Sequence, residues 1–560
     1  MASSRTKAER HKRLLRAGYF PEDLPPPFNT RDLSKFRDHL AKQFSKIPNV
    51  NKEPWYYQYR SVPAVIYFPR FAKQDRKHHI VNPINFFFLS GEIADNWIEI
   101  RKLLKRSKSS ASSVVFNWKD GRSLLRLDFE ERDRRVSSIS VGNTFVLVSD
   151  ISRYYHSIYT HSLAWAAHTK PVAKKNRSNK LLGNRLDLLS RNAQDGQTIG
   201  IPVGPDTSRI LAELVGSALD SDLVGSGQLG ASGFVRFVDD FVLGASSREV
   251  AERLRSVLRR HIHAYELEIN EEKTEIRSVL NLDYSSWRHE IRAALPTFGA
   301  SKAKLELYFD RLLSIARSNP RANCFRYALK QSRAVFTYST EWPLVEDFLL
   351  LSYRSNPSGL STIVEMIVNR HRIRSDVDLL KIRGFITAHM PRLAEMEKHA
   401  EAAWMLYLAL ELSIKLPRKC LEAFFEQHNP VCALVLCHLS SNKLIDKPID
   451  RSHWNSFLDE AGLRSEMWLY AYEATLKGWS GLPTKKFVAS SKEFGELLRK
   501  QISFYDLDAH IEDITSSVKK DIAGSKKVKF ATLEALDEVD DFPEFYSDSD
   551  DEGEYVGSEY

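Results

Sequence analysis

Between residues 51 and 290 the chain alternates short apolar, β-branched runs with longer segments of helical periodicity. Residues 64–68 and 79–81 are apolar and flank the basic stretch PRFAKQDRKHH, which predicts a β-hairpin with a basic turn. Residues 145–148 form an apolar, β-branched run that indicates a buried strand. This mixture predicts an α+β domain.

Two further apolar runs, FVRFV and FVLGA, enclose Asp239 and Asp240. They predict a second, buried hairpin with the aspartate pair at its tight turn. On either side of it, residues 206–223 and 246–267 carry apolar positions at the period of a helix. Residues 151–166, ISRYYHSIYTHSLAWA, are also interpreted as helical.

After about residue 300 the strand signals fade. The segments WPLVEDFLLLSYR, HAEAAWMLYLALELSIKL and PVCALVLCHLSSN alternate with short polar or proline breaks, which predicts stacked helices without a fixed repeat period. Prolines in YFPEDLPPPFNT near the start predict an extended, docked arm. The expected division is a basic, proline-rich arm, an α+β domain, a helical repeat-like domain and an acidic, disordered tail, over residues 1–50, 51–290, 300–530 and 533–560.

Composition excludes several classes of protein. The chain has 560 residues, of which 43% are hydrophobic, and it lacks the roughly 20-residue apolar run that a membrane span needs. The basic N-terminus has no apolar core of a secretory signal. Four cysteines without a CxxC pair argue against a disulfide framework or a zinc site. We expect a cytoplasmic protein.

Charge is distributed unevenly. The net charge is +9, yet residues 533–560 contain twelve Asp and Glu and no Lys or Arg, so residues 1–532 carry +21. A basic body of this size is typical of proteins that bind polyphosphates or nucleic acid. The alternative is a generally solvated surface.

The tetrapeptide VDDF occurs twice, at residues 238–241 and 539–542. Two carboxylates about 4 Å apart repel by roughly 4 kcal/mol at an effective dielectric near 20. A buried pair therefore needs a cation or a proton, whereas a pair in a solvated acidic tail needs neither. Only the first copy is a candidate site.

A third carboxylate, Asp150, follows FVLVS at the end of a predicted strand. Together with Asp239 and Asp240 it would supply oxygen ligands for two Mg²⁺ ions. Two such ions can clamp the attacking and leaving oxygens of a phosphoryl transfer. The alternative is that Asp150 caps the helix that follows it.

Four segments, VSDISRYYHSIY, GQTIGIPVGPDTSRILAEL, RFVDDFVLG and LEINEEKTEI, resemble in order the A, B, C and D motifs of a reverse transcriptase palm. Upstream, YFPEDLPPPF, PRFAKQDRKHHIVNPINFFFLS and KLLGNRLDLLSRNAQDGQTIGIP resemble bacterial abortive-infection and defence-associated (unknown-group) reverse transcriptases. The resemblance covers roughly residues 15–285. It implies an α+β right-hand fold of fingers and palm, followed by an all-α helical-repeat domain.

The resemblance implies roles for individual residues. Asp150 and Asp239 would be the principal metal ligands, and Asp240 would complete the cluster. Lys273 matches the motif D lysine near the leaving pyrophosphate and would act as general acid; a surface lysine is the alternative. Tyr155 would lie under the sugar and exclude a 2′-hydroxyl, unless the register is shifted by one residue or the ring belongs to the core.

In the B motif, Pro202 and Gly204 match backbone that approaches a nucleotide or template. Val203 stands where group II intron and retron enzymes usually have glutamine, and its side chain cannot hydrogen-bond. This difference favours loosely templated or untemplated synthesis.

In the fingers hairpin, Arg76 and Lys73 match the basic side chains that grip an incoming triphosphate, and Arg70 is a weaker candidate. A solvated basic turn is the alternative for each of them.

The function implied is a DNA polymerase of the reverse transcriptase class that uses two Mg²⁺ ions and deoxynucleoside triphosphates. Its role would be antiphage defence by abortive infection in a bacterial cytoplasm, with synthesis primed from a protein hydroxyl or loosely templated. The implied partners are nucleic acids: an RNA template, a DNA product, or both. No membrane is implied. A second copy of the chain, a partner protein or a non-coding RNA would fit as well. Alternatives are a conventional templated retron or intron enzyme, an inactive nucleic-acid-binding scaffold and, remotely, a palm-type nucleotide cyclase.

Overall fold

A computed structural model describes the protein over residues 5–70, 75–282, 286–320, 322–481 and 485–514. Lys73, the second VDDF copy and the acidic tail lie outside these described residues.

Helices make up most of the described chain. Those of the first half are α1 Lys7–Ala17, α2 Arg31–Lys35, α3 Arg37–Phe44, α4 Pro83–Asp95, α5 Trp97–Leu104, α6 Phe129–Val141, α7 Tyr154–Ser157, α8 Ser162–His168, α9 Lys170–Lys175, α10 Leu182–Asn192, α11 Asp206–Gly225, α12 Arg248–Ala264 and α13 Ser286–Ala294. The later ones, together called the helical half, are α14 Lys302–Ser318, α15 Cys324–Gln331, α16 Arg333–Thr337, α17 Trp342–Ser355, α18 Leu360–Arg374, α19 Leu379–Glu395, α20 His399–Glu411, α21 Pro430–Ser441, α22 Ser452–Asn455, α23 Trp468–Lys477, α24 Lys486–Ser490 and α25 Phe494–Arg499. Single 3₁₀ turns lie at Trp55–Tyr57, Glu271–Lys273, Val279–Asn281, Pro357–Gly359, Arg418–Cys420, Glu422–Phe424 and Gly462–Arg464.

The strands form a hairpin and an antiparallel sheet. The hairpin pairs β1 Ala64–Pro69 with β2 Asp75–Ile80. The sheet has the order β4-β5-β3-β6 and contains β3 Phe145–Asp150, β4 Phe234–Phe237, β5 Asp240–Ala245 and β6 Glu275–Ser278. The strands predicted around residue 145 and on both sides of the aspartate pair are confirmed.

Both faces of the four-stranded sheet are covered. Leu147, Phe241 and Leu243 pack on one face against α11 and α12. Val146 and Val242 alternate with them and pack on the other face against α6. A sheet buried on both faces explains why its strands read as continuous apolar runs and not as alternating ones.

The fingers hairpin differs from its prediction. The second strand begins at Asp75 and not at residue 79, because Arg76 pairs with Phe68 and the ladder continues from there to Ile80. Its side chains up to His79 are polar and only partly buried, so a search for apolar runs could not detect this strand. The expected basic turn is therefore largely a basic strand.

Residues 151–166 form two helices, α7 and α8, and not one. Between them the backbone pairs with a distant segment: Thr160 N–H donates to Thr198 C=O at 2.8 Å, and Gly200 N–H donates to Ile158 C=O at 2.8 Å. These long-range bonds break the helical pattern that the sequence suggests. Helices α11 and α12, by contrast, lie where predicted.

The helical half packs directly on the fingers. The three helices predicted from residues 342, 399 and 430 are confirmed as α17, α20 and α21. One apolar core joins Phe68 and Ile80 of the hairpin with Trp468 and Tyr505. The two parts therefore share buried surface and are not joined only by a linker.

The N-terminal segment is docked, as predicted, but it begins with a helix. Thr6 and Glu9 form a reciprocal capping box at the start of α1. The proline-rich stretch after α1 is irregular and buries Phe20, Leu24 and Phe28 against the core.

In the described part of the chain, no helix combines the length and the apolar character that crossing a membrane would require.

Candidate active site

Strand pairing brings the three aspartates to one edge of the sheet. Asp150 ends β3 and lies opposite Asp240, the first residue of β5. Asp239 occupies the β4–β5 turn, where its carbonyl accepts from Ile151 N–H at 3.2 Å. One carboxylate oxygen from each aspartate lies within 4.8 Å of the other two. Asp150 and Asp239 are only 3% and 2% exposed, so the like charges are concentrated in a largely dry site.

Asp150 does not cap the next helix, so that alternative is wrong. Helix α7 starts at Tyr154, and its N-cap residue, Arg153, makes no side-chain cap bond. Asp150 Oδ2 instead accepts weakly from Asn270 Nδ2 at 3.5 Å and lies 3.7 Å from Lys273 Nζ. Asp150 Oδ1 is buried, and no described residue donates a hydrogen bond to it. A buried carboxyl oxygen without a donor indicates a site for a ligand.

Burial and mutual repulsion raise the pKa values of the cluster. Burial, with Asp240 adding, raises the pKa of Asp150 to about 8, although Lys273 opposes this. Burial also raises the pKa of Asp240 to about 6, and the pKa of Asp239 lies well above its usual range. Carboxylates in this state are poised to exchange protons for a cation, and an all-oxygen donor set fits a hard divalent ion such as Mg²⁺.

The turn that presents Asp239 is strained and is held by a buried ionic network. Val238 has a φ of 60°, a conformation that β-branched residues rarely adopt. Ser112 Oγ accepts from Val238 N–H at 3.0 Å, and Arg236 Nη1 donates to Val238 C=O at 2.9 Å. Glu213 and Asp220 bind the fully buried Arg236 guanidinium at 2.7 and 2.8 Å. The network fixes the backbone on which the catalytic geometry would depend.

Sequence reasoning missed this network, although two signals point to it. An arginine interrupts the otherwise apolar run FVRFV, and Glu213 lies in the apolar stretch of α11. Buried charges of opposite sign on neighbouring elements are expected to pair.

The two adjacent tyrosines have different surroundings. Tyr154 is buried in the core, where its hydroxyl donates to Ala212 C=O at 2.7 Å. Tyr155 is only partly buried and packs against the same core; burial raises its pKa, Arg209 opposes this shift and Asp239 adds to it.

The B-motif loop is held between the fingers and the N-terminal arm. Val203 N–H donates to His79 Nδ1 at 3.0 Å, and His79 N–H donates to Val203 C=O at 2.8 Å. Gly204 has a φ of 119°, and a Cβ there would lie 2.9 Å from Pro21 Cγ. Pro202 is buried beside them. Gly204 is thus required for both its conformation and the close approach of the arm.

An arginine-rich cavity of about 220 Å³ lies between the hairpin, the arm and α11. Two of its arginines, Arg70 and Arg76, come from the ends of the hairpin strands and also act electrostatically on the aspartates. Three others are each paired with a carboxylate: Arg122 with Asp206 at 2.6 Å, Arg126 with Glu22 at 3.1 Å and Arg326 with Asp23 at 2.8 Å.

Arg209, in the first turn of α11, also lines this cavity and was not found from the sequence. Its Nη1 donates to Leu125 C=O at 2.6 Å, whereas its Nε and Nη2 are buried and no described residue accepts from them. A cation in the first turn of a helix opposes the helix dipole, and this signal could have singled it out. A buried guanidinium with unused donors indicates an anionic ligand.

Comparisons with known proteins agree with this geometry. Residues 99–304 match the family described as reverse transcriptase (RNA-dependent DNA polymerase). That range contains the aspartate cluster, Tyr155, Arg209 and Lys273. A search of curated proteins found no match.

Among solved structures the chain is similar to telomerases, with low scores. Telomerase from Candida albicans, in complex with a TWJ fragment of telomeric RNA, is 13% identical with a TM-score of 0.27, over 63% of this chain and 68% of that one. Apo telomerase from Candida tropicalis is 11% identical with a TM-score of 0.30, over 71% of this chain and 76% of that one. Because the TM-scores are this low, the assignment rests on the family match.

The predicted fold class, an α+β reverse transcriptase fold with a helical half, is confirmed. The chain contains a reverse transcriptase domain, and the protein is an RNA-directed DNA polymerase.

Proposed function

We propose that the protein adds deoxynucleotides to a hydroxyl primer, with Asp150, Asp239 and Asp240 as ligands of two Mg²⁺ ions. The observation that carries this proposal is the convergence of the three carboxylates within 4.8 Å. The orphaned oxygen of Asp150 and the raised pKa values support it, because both would be relieved by a divalent cation.

In the proposed reaction, the primer hydroxyl attacks the α-phosphate, the new phosphodiester forms and pyrophosphate leaves. Bound Mg²⁺ would supply charge neutralisation and hold the reacting oxygens in line. Arg70, Arg76 and Arg209 would bind the triphosphate in the adjoining cavity. The resemblance adds Lys73 to this set.

Two further side chains would act on the substrate. The ring of Tyr155 would lie under the sugar and exclude a 2′-hydroxyl. Lys273 would protonate the leaving pyrophosphate: its Nζ lies 3.7 Å from Asp150, and burial lowers its pKa, which favours proton donation. Pro202 and Gly204 would shape the loop beside the templating base.

We infer the biological setting from the resemblance of the upstream segments. It is antiphage defence by abortive infection in a bacterial cytoplasm, with RNA as template, DNA as product, and priming from a protein hydroxyl or loose templating. Val203 supports loose templating, because its side chain offers no hydrogen bond and its backbone is engaged by His79. We also propose the arm, polymerase, helical and tail divisions at residues 1–50, 51–290, 300–530 and 533–560.

The test is incorporation of labelled dNTPs by the purified protein with Mg²⁺, with and without RNA, resolved on denaturing gels. Asp239→Ala should abolish incorporation, whereas Asp310→Ala, at an exposed position of α14, should not. Label that stays with the protein in SDS would support protein priming, and product made only from a defined RNA would support a conventional templated enzyme. Absence of incorporation under every condition would favour the inactive scaffold, and a small cyclic product would favour a cyclase.

A further inference from the structure

The fingers hairpin lies between the arginine-rich cavity and helix α20 of the helical half, while Arg326 of α15 also lines the cavity. On one side, Arg70 and Arg76 line the cavity. On the other side, β1 packs against α20. A contact that holds the hairpin on its α20 side can therefore affect the positions of Arg70 and Arg76 on its cavity side.

Polar side chains of the helical half bind the hairpin along both strands. Lys398, just before α20, forms an ion pair with Asp75 at the start of β2. Asn429 Nδ2 donates to Val65 C=O at 3.3 Å in β1. Trp468 Nε1 donates to Ile80 C=O at 3.1 Å at the end of β2.

The Lys398–Asp75 pair is the charged contact among these, and it is shielded from water. The two side chains are 16% and 23% exposed. Asp75 Oδ1 is buried, and no described residue donates to it, whereas Lys398 forms the ion pair with Oδ2. Partly buried pairs of this kind are costly to break, because one charge is left desolvated.

The position of Lys398 is not explained by its own helix. It is the N-cap residue of α20, where a cation opposes the helix dipole. The preceding residue, Glu397, has a φ of 53°, and Lys398 N–H donates to Leu393 C=O at 2.9 Å. The tight turn between α19 and α20 thus aims Lys398 at the hairpin.

Strand geometry connects this pair to the nucleotide cavity. Successive side chains of a strand point to opposite faces. Asp75 points to the helical half, and Arg76, the next residue, points into the cavity. Rotation or fraying of β2 at Asp75 would therefore displace Arg76 directly.

We propose that Lys398 is a positioning residue for nucleotide binding: by holding Asp75, it fixes the strand that directs Arg76 at the incoming triphosphate. This inference rests on the proposed function and extends the nucleotide site into the helical half. The helical half is then part of the polymerase and not an appendage to it.

The kinetic test is a charge exchange. Lys398→Asp and Asp75→Lys should each raise KM for dNTPs by about tenfold, because fewer molecules hold the competent hairpin, with a smaller change in kcat. The double variant Lys398→Asp/Asp75→Lys should recover most of the lost affinity. Recovery is the outcome that general damage to the fold would not produce.

Hydrogen–deuterium exchange of the full chain provides a readout that does not depend on activity. Lys398→Ala should accelerate exchange of the amides in β1 and β2. The matched control is Lys381→Ala, since Lys381 pairs with Glu346 and Asp347 at 3.0 and 2.9 Å within the helical half. It should leave hairpin exchange and KM unchanged.

The outcomes separate the two proposals. If the wild-type protein makes no product, the proposed function fails, while faster hairpin exchange in Lys398→Ala still supports the anchoring role. The positioning role is overturned if Lys398→Ala exchanges like wild type, if Lys381→Ala has the same effect, or if the exchanged pair restores nothing.

Discussion

Replacing Asp239 by asparagine should stabilise the metal-free protein even though it removes a proposed catalytic group. The carboxylate oxygens of Asp150, Asp239 and Asp240 lie within 4.8 Å of one another. At that distance and an effective dielectric near 20, each ionised pair costs about 3.5 kcal/mol. Asn keeps the size and polarity of the side chain and needs neither a charge nor a proton. The free energy of unfolding should therefore rise at pH 8 by at least the cost of one such pair, about 3.5 kcal/mol.

The stabilisation by Asp239→Asn should increase as the pH rises. The folded-state pKa is about 8 for Asp150 and about 6 for Asp240, and that of Asp239 is also raised. Groups with raised pKa values contribute stability that is fully present below their unfolded value, near 4, and is lost as the pH rises through the folded value. The wild-type protein should therefore lose stability between pH 4 and pH 8, and the advantage of Asp239→Asn should be small at pH 5 and largest at pH 8.

Thermal unfolding in EDTA measures this difference. For a unit of 150–250 residues, 3.5 kcal/mol corresponds to a rise in Tm of about 7–14 °C. Adding Mg²⁺ should raise the Tm of the wild-type protein more than that of the variant. Asp187→Asn is a control of opposite sign, because Asp187 accepts from Arg191 at 3.0 Å and from His161 at 2.6 Å. If Asp239→Asn unfolds at or below the wild-type temperature in EDTA at pH 8, the electrostatic reasoning is refuted.

Three substitutions test the remaining roles. Tyr155→Ala should raise incorporation of ribonucleotides relative to deoxynucleotides by about tenfold or more, measured in competition assays, whereas a core role would only lower stability. Lys273→Gln should lower kcat by about 10²-fold with little change in KM, and an unchanged kcat in single-turnover assays would exclude the general acid. Arg209→Met should raise KM for dNTPs by about tenfold or more, with partial recovery in Arg209→Lys; an unaltered KM would mean that the cavity does not hold the triphosphate.

Local sequence signals predicted most of the palm but failed where distant backbone intervened. The runs around Asp239 are apolar because both faces of their sheet are covered, so their strands were detectable. Of strand β2 only the end, at residues 79 and 80, was predicted, because its other side chains are polar and its strand character comes from pairing with β1. The break between α7 and α8 depends on bonds to Thr198 and Gly200, which no local pattern encodes.

The same distinction applies to the candidate site. Asp150 was detectable because it ends an apolar run, and Pro202 and Gly204 were found through the resemblance of their segment to the B motif. Ser112 contacts the Asp239 turn from 126 residues away. Lys398 contacts Asp75 across 323 residues. Such contacts follow only from tertiary packing. Ser112 and Lys398 hold other residues in place and are not members of the aspartate cluster.

Several features of the site cost folding free energy. They differ in the group that would offset this cost. The like charges of the aspartates and the unused donors of Arg209 would each be satisfied by a ligand of the proposed reaction, Mg²⁺ in one case and a triphosphate in the other. The left-handed conformation of Val238 has no such ligand; it is maintained by Arg236 and Ser112, which are covered by the core. The aspartate geometry is therefore preorganised by the fold, whereas Lys273 and the cavity arginines offset its charge in part and the proposed metal would supply the rest. Because geometry and charge are stabilised by different groups, the network around Arg236 is buried behind the sheet edge, and the arginines of the cavity lie where a ligand can reach them.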